Sequence, residues 1–111
     1  MIKRVEKVWG HEEWLENGDY CVKWLTVNPR SASSLHYHPI KKETFVVVGG
    51  ECELEVAGKL ISLDAEQSAT IEAGTPHRFS NLNYNTPCLI LEASTHHDDA
   101  DVVRLEESRK L

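Results

Sequence analysis

The strongest constraint on what this chain can fold into is its cadence. Short runs rich in β-branched and aromatic residues follow one another, each ended by Gly, Pro, Asn or Asp. Phe45-Val46-Val47-Val48 stops at Gly49-Gly50, and Glu51 to Val56 then alternates acid with apolar residue before Ala57-Gly58 turns the chain. Lys59 to Leu63 pairs back, Asp64 to Gln67 turns again, and Ser68 to Glu72 leads into a Gly/Pro turn. Arg78 to Asn81, the Asn83 to Pro87 loop and Cys88 to Ala93 continue the rhythm. Strands this short and this regularly punctuated predict an all-β barrel or sandwich. The 111 residues (1–111) make one domain, enough to bury roughly two-thirds of its unfolded surface around one core.

The opening is a hairpin. Val5 to Leu15 begins as an edge strand interrupted at Trp9-Gly10, and Asn17-Gly18-Asp19 turns into Tyr20 to Val27. In that second strand Cys21, Lys23, Leu25 and Val27 share one face and Tyr20, Val22, Trp24 and Thr26 the other. Both faces are largely apolar, which suits a strand inside a sandwich or a dimer. If Leu25 and Val27 line the interior, Lys23 goes inward with them and needs an anionic partner or substrate to offset its desolvation; the alternative is an outward lysine in water.

Eighteen acidic and twelve basic side chains give a net charge of -6, which argues against broad contact with nucleic acid or an anionic membrane. The amino-terminal residues alternate apolar with charged, without a signal core or membrane span, so a cytoplasmic location is expected. Cys21, Cys52 and Cys88 are odd in number and each falls inside a strand, as buried free thiols do.

The chemistry is concentrated in Leu35 to Gly50. His36 and His38, two apart on an extended segment, project to the same side and can hold one ion. Glu43 follows a short polar turn and opens the next strand, and a Gly74-Thr75-Pro76 turn delivers His77 as the natural fourth ligand. Three imidazoles and one carboxylate suit a divalent transition metal such as Mn, Fe, Zn or Ni, and an octahedral ion keeps two positions for substrate oxygens. His96-His97 beside Asp98-Asp99 is a weaker second candidate: neighbours on a strand face opposite ways, and the aspartates can equally cap a turn.

These spacings carry a resemblance. His36-x-His38-x4-Glu43-x6-Gly50 matches the first motif of the cupin superfamily, and Gly74-x2-His77-x3-Asn81 matches the end of the second. Ser31 and Glu66 stand where the two motifs usually open with glycine, and Glu72 where the second usually has proline. From Trp9-Gly10 to the Ser94 to Asp99 ending, the chain resembles the cupin domain of type II mannose-6-phosphate isomerases and related small cupin sugar isomerases. The resemblance implies a single-domain cupin, a double-stranded β-helix or jelly-roll barrel, with a short packed C-terminal tail.

It also implies an aldose-ketose isomerase acting on a sugar or sugar phosphate through a cis-enediol. Glu43 is the first candidate for the base and Glu92 the second, with the facing of Glu92 undetermined by pattern. Lys41, Lys23 and Arg78 are the cations available to a phosphate or developing oxyanion, and Tyr37 joins Trp9, Trp14 and Phe45 as a candidate wall for the sugar. Two alternatives use the same residues: an iron-dependent dioxygenase, and a non-catalytic sugar-binding module. A nucleotide-sugar epimerase is a weaker reading, because it has no need of the full ligand quartet. Edges of a small sheet need covering, so a homodimer is expected.

Overall fold

The computed structural model describes residues 1–111. It contains strands and turns and no helix: β1 (Lys3–Lys7), β2 (Gly10–Asn17), β3 (Tyr20–Val27), β4 (Ser31–Ala32), β5 (Leu35–Tyr37), β6 (Glu43–Gly49), β7 (Cys52–Val56), β8 (Lys59–Leu63), β9 (Ser68–Ile71), β10 (His77–Asn81), β11 (Cys88–Thr95), β12 (Val103–Glu106) and β13 (Arg109–Lys110). One sheet runs β1-β2-β3-β11-β6-β9, antiparallel throughout. The other is centred on β10, which pairs with β7 on one side and with β5 and then β4 on the other. Beyond these, β8 pairs with β7, β12 with β5 and β13 with β4. The expected tail is therefore two strands of this second sheet.

Alternation decides what faces inward. On β3 the burial pattern sends Cys21, Lys23, Leu25 and Val27 to the interior, so Lys23, 2% exposed, is carried in by its apolar neighbours. A core of Trp9, Leu25, Val27, Phe45, Val47, Cys52, Leu54, Leu63, Ile71, Phe79, Cys88 and Ile90 fills one end of the barrel. Trp9 and Phe79 meet edge to face with centroids 4.9 Å apart. All three cysteines are buried and free. Asn81 closes that end, donating from Nδ2 to Val27 O (3.0 Å) and Thr86 O (2.8 Å).

Two turn positions explain their residues. Gly50, the closing glycine of the first motif, has φ +74°, and a Cβ there would lie 2.7 Å from Pro87 O. Glu66 occupies a usual glycine position and nonetheless holds φ 74°, a left-handed conformation costing a non-glycine residue roughly 1–2 kcal/mol. Its N–H donates to Val47 O at 2.7 Å, which fixes the turn.

Candidate metal centre and its cavity

Three imidazoles come from the second sheet and one carboxylate from the first. His36 on β5 stands directly opposite His77 on β10, so their side chains leave the sheet on the same side, with ring centroids 4.5 Å apart. His38 lies just past the end of β5, its ring 4.9 Å from that of His36. Glu43 is the first residue of β6 and reaches across from the facing sheet. One ligand atom from each of the four residues falls within 4.8 Å of the others.

The surroundings make this set fit a cation. Each ring turns Nδ1 to a backbone carbonyl: His36 to Ser34 O (2.8 Å), His38 to Asp101 O (2.7 Å) and His77 to Thr75 O (2.9 Å). A carbonyl only accepts, so each Nδ1 carries a proton, which leaves Nε2 as the atom that can face a cation. Burial, and then His77, push His36 down to about 3. Burial and then Lys41 push His38 down to about 4. Both are neutral ligands near neutral pH.

Glu43 Oε1 lies 2.6 Å from His77 Nε2, yet both Glu43 oxygens and that nitrogen are buried without a hydrogen bond of acceptable geometry. Acceptors crowded together in this way need a shared positive charge between them. The donor set, nitrogen with one oxygen, suits a borderline divalent transition metal.

The residues behind the quartet form an ionic layer. Lys41 Nζ lies 3.1 Å from Glu43 Oε2 and 3.3 Å from Glu92 Oε2, with all three side chains almost fully buried. Burial acts to raise the Glu43 carboxyl, but the hydrogen-bonding approach of His77 and the charge of Lys41 outweigh it and hold it at about 2. Burial and the charge of Glu43 move Glu92 the other way, above the ordinary carboxylate range. Burial lowers the Lys41 ammonium, and Glu92 and Glu43 more than offset it, so Lys41 stays charged. Two neighbouring carboxyls are thus driven apart in proton affinity.

Comparison with known proteins decides the family. The model described as mannose-6-phosphate isomerase C-terminal matches residues 1–107. The chain belongs to this family. Xanthan biosynthesis protein XanB of Xanthomonas campestris pv. campestris is 28% identical over 109 residues, 96% of this chain and 23% of that protein. A mannose-1-phosphate guanylyltransferase of Escherichia coli is 29% identical over 108 residues, 95% of this chain and 22% of the relative. The chain therefore spans under a quarter of the length of these curated relatives.

Among solved structures, a sugar phosphate isomerase from a cupin superfamily of Silicibacter pomeroyi has a TM-score of 0.72 at 19% identity, covering 86% of this chain and 75% of that one. The oxalate decarboxylase of Lactobacillus farciminis has a TM-score of 0.80 at 18% identity, over 93% and 33%. At such identities the likeness concerns the fold, which is that of a cupin.

In this mannose-6-phosphate isomerase C-terminal domain His36, His38 and Glu43 open into a cavity of about 540 Å³, with His77 behind them. Lys23, Lys41, Glu43 and Glu92 all line it, as do Trp9, Trp14 and Phe45. Two residues expected to touch substrate do not line this cavity. Arg78 follows His77 and so points out of the barrel, where Nε donates to Ser33 O (2.9 Å), one terminal nitrogen to Glu106 Oε1 (3.1 Å) and the other to Glu107 O (3.2 Å). It fastens the C-terminal strands to β10. Tyr37, between the two ligand histidines, likewise points away and is absent from the cavity wall.

Lys23 is paired with Glu12 at 3.6 Å and sits 4.2 Å from the Trp14 ring centroid. Only the main quartet gathers metal-ligand atoms: His96 and His97 part company, so the second metal candidate is not assembled. Asp101 was not anticipated. Its carboxylate accepts from Ile40 N and Lys41 N, each at 2.9 Å, while its carbonyl orients His38. The acidic cluster Asp98-Asp99-Ala100-Asp101 was the available signal. No helix is long and apolar enough to cross a membrane.

Proposed function

We propose that this domain is a metal-dependent isomerase that interconverts an aldose, free or phosphorylated, with its ketose through a cis-enediol. The observation that carries the reading is a second buried carboxyl, Glu92, held next to the ligand quartet with its proton affinity raised. A buried carboxyl beside the site that is not itself one of the metal-ligand candidates can take a proton from carbon and return it to the neighbouring carbon, as a general base then acid must. Glu43, held at about 2, is a poor base and a good ligand, so the base role passes to Glu92.

The Lys41 ammonium lies between the two carboxylates and is placed to stabilise negative charge on a substrate oxygen as the proton leaves. Lys23, opposite Glu92 across β3 and β11, supports the same wall. When bound, a divalent Mn, Fe, Zn or Ni ion held by His36, His38, Glu43 and His77 supplies Lewis-acid polarisation of the sugar carbonyl. Trp9, Trp14 and Phe45 limit water in the cavity.

Protein loaded with each metal in turn is to be incubated with a panel of aldoses and aldose phosphates and the products read by NMR. The expected result is a ketose product that Glu92→Gln slows by roughly a hundredfold or more, with metal content unchanged. No turnover by a fully loaded protein overturns the isomerase. Turnover that consumes oxygen instead identifies the dioxygenase alternative. Saturable sugar binding without product identifies a binding module, a reading favoured by the names of relatives that are guanylyltransferases over far longer chains.

A cytoplasmic setting and a homodimer belong to the same reading. Trp24, Leu91 and Val46 lie in register across three strands on the outer face of the first sheet, supporting a self-contact there.

A further inference from the structure

The stretch His96-His97-Asp98-Asp99 is the one chemically rich motif that the proposed reaction leaves unused, and the fold splits it. His96 turns to the surface, with Nδ1 against Gly18 O at 2.8 Å. His97 turns inward, lines the cavity, and meets Trp14 edge to face with centroids 5.1 Å apart. Its backbone is clasped by Asn17 at the end of β2: Asn17 Nδ2 donates to His97 O (3.0 Å), and His97 N donates to Asn17 Oδ1 (2.9 Å). Two hydrogen bonds to one side chain set the ring's height in the cavity.

The ring's two nitrogens have opposite tasks. Nε2 lies 2.8 Å from the Asp99 carboxylate, which only accepts, and Nδ1 lies 3.1 Å from the Lys41 ammonium, which only donates. His97 must therefore be the neutral tautomer with its proton on Nε2. Burial, and then the charges of Lys23 and Lys41, hold the imidazole below its ordinary value, in keeping with that assignment.

Lys41 Nζ thus has three neighbours that can accept: Glu43 Oε2, Glu92 Oε2 and His97 Nδ1. Glu43 is committed to the ligand quartet. The geometry points to His97 as a positioning residue that holds the Lys41 ammonium against Glu92, with Asn17 fixing His97 in place. The catalytic consequence rests on the isomerase reading, whereas the positioning itself can be observed without any substrate.

The test uses the full chain, 15N-labelled and loaded with Zn(II). The Lys41 ammonium resonance is assigned by its absence from Lys41→Met, and its proton exchange with water is measured. His97→Phe keeps a ring against Trp14 and removes the acceptor; His97→Gln restores an acceptor. Exchange is expected to quicken about tenfold in His97→Phe, the factor for one hydrogen bond to a charged group, and to stay within about threefold of wild type in His97→Gln.

With an aldose that turns over, kcat is expected to fall about tenfold in His97→Phe at nearly constant KM, and to recover in His97→Gln. His96→Gln serves as the surface control. Unchanged ammonium exchange in His97→Phe overturns the positioning role, and so does equal acceleration in the Phe and Gln variants, which would reduce His97 to packing. If His97→Phe does not fold, Asn17→Ala releases the clasp and carries the same expectations. Absence of turnover in the wild type defeats the isomerase while the exchange comparison still decides this inference.

Discussion

The two ends of the barrel interior are built from the same strands and differ completely in chemistry. On β3 the inward face passes from Lys23 to Leu25, on β6 from Glu43 to Phe45, on β10 from His77 to Phe79, and on β11 from Glu92 to Ile90. In each strand the change takes one step of the inward-facing alternation; it falls at the same level on β3 and β11, where Glu92 is opposite Lys23 and Ile90 opposite Leu25, and one inward step away on β6, where Phe45 stands opposite Glu92. One end is a close-packed apolar cluster; the other buries Lys23, Lys41, Glu43, His77 and Glu92. Burying an ion costs several kcal/mol even after relaxation, and pairing repays this only with good geometry. The apolar end therefore supplies the stability and the charged end spends it on a preformed site.

Substitutions on one side of the boundary should move stability and leave metal binding alone, and the reverse on the other. The largest effect is expected from Leu25→Ala, 1% exposed in the apolar cluster: urea unfolding should show a loss of about 2–5 kcal/mol, with one metal still bound per chain. A variant that lost its metal in native conditions would break the comparison. Next, His77→Ala should weaken metal affinity at least a hundredfold, about 2.7 kcal/mol, in competition with a chromogenic chelator. If affinity survives, the quartet is misassigned.

Asp101→Ala probes the support for the site rather than the site itself. It removes two acceptors from Ile40 and Lys41, and metal affinity should drop by roughly tenfold, with a smaller change in urea midpoint than Leu25→Ala. The smallest effect is the pH dependence of the metal-free protein. His36 and His38 titrate from 6.5 in the unfolded chain down to about 3 and about 4 in the fold. Above 6.5 both states hold them neutral; as pH falls below it, the unfolded chain takes up protons the folded chain resists, and stability declines. Glu43, moved from 4.5 to about 2, extends the decline to lower pH. Urea midpoints should fall with acidification, less steeply in His36→Gln than in wild type. Parallel slopes in the two proteins would show that these rings are not the cause.

The convergence of His36, His38, Glu43 and His77 was legible in the sequence because two-residue and turn-bounded spacings translate directly into geometry. The all-β class and the first two hairpin strands were legible for the same reason. Lys23 was not, since both faces of its strand are apolar and alternation alone leaves the sign open. Arg78 needed knowledge that Glu106 and Glu107 return to cover the outside of β10, a contact no local pattern encodes. Tyr37 could have been discounted from its place between two inward histidines. The inward turn of His97 depends on Asn17, 80 positions away, and nothing near either residue announces the clasp.

Two of the four ligands ride on or just beyond β5, a strand of three residues, bordered by Val103 to Glu106, while the ring of His38 leans on Asp101, 63 positions further along. A chain emerging from the ribosome amino end first exposes its histidines well before the segment that steadies them has been made. The charged end is thus completed only once Asp101 and β12 have been made and have closed against β5.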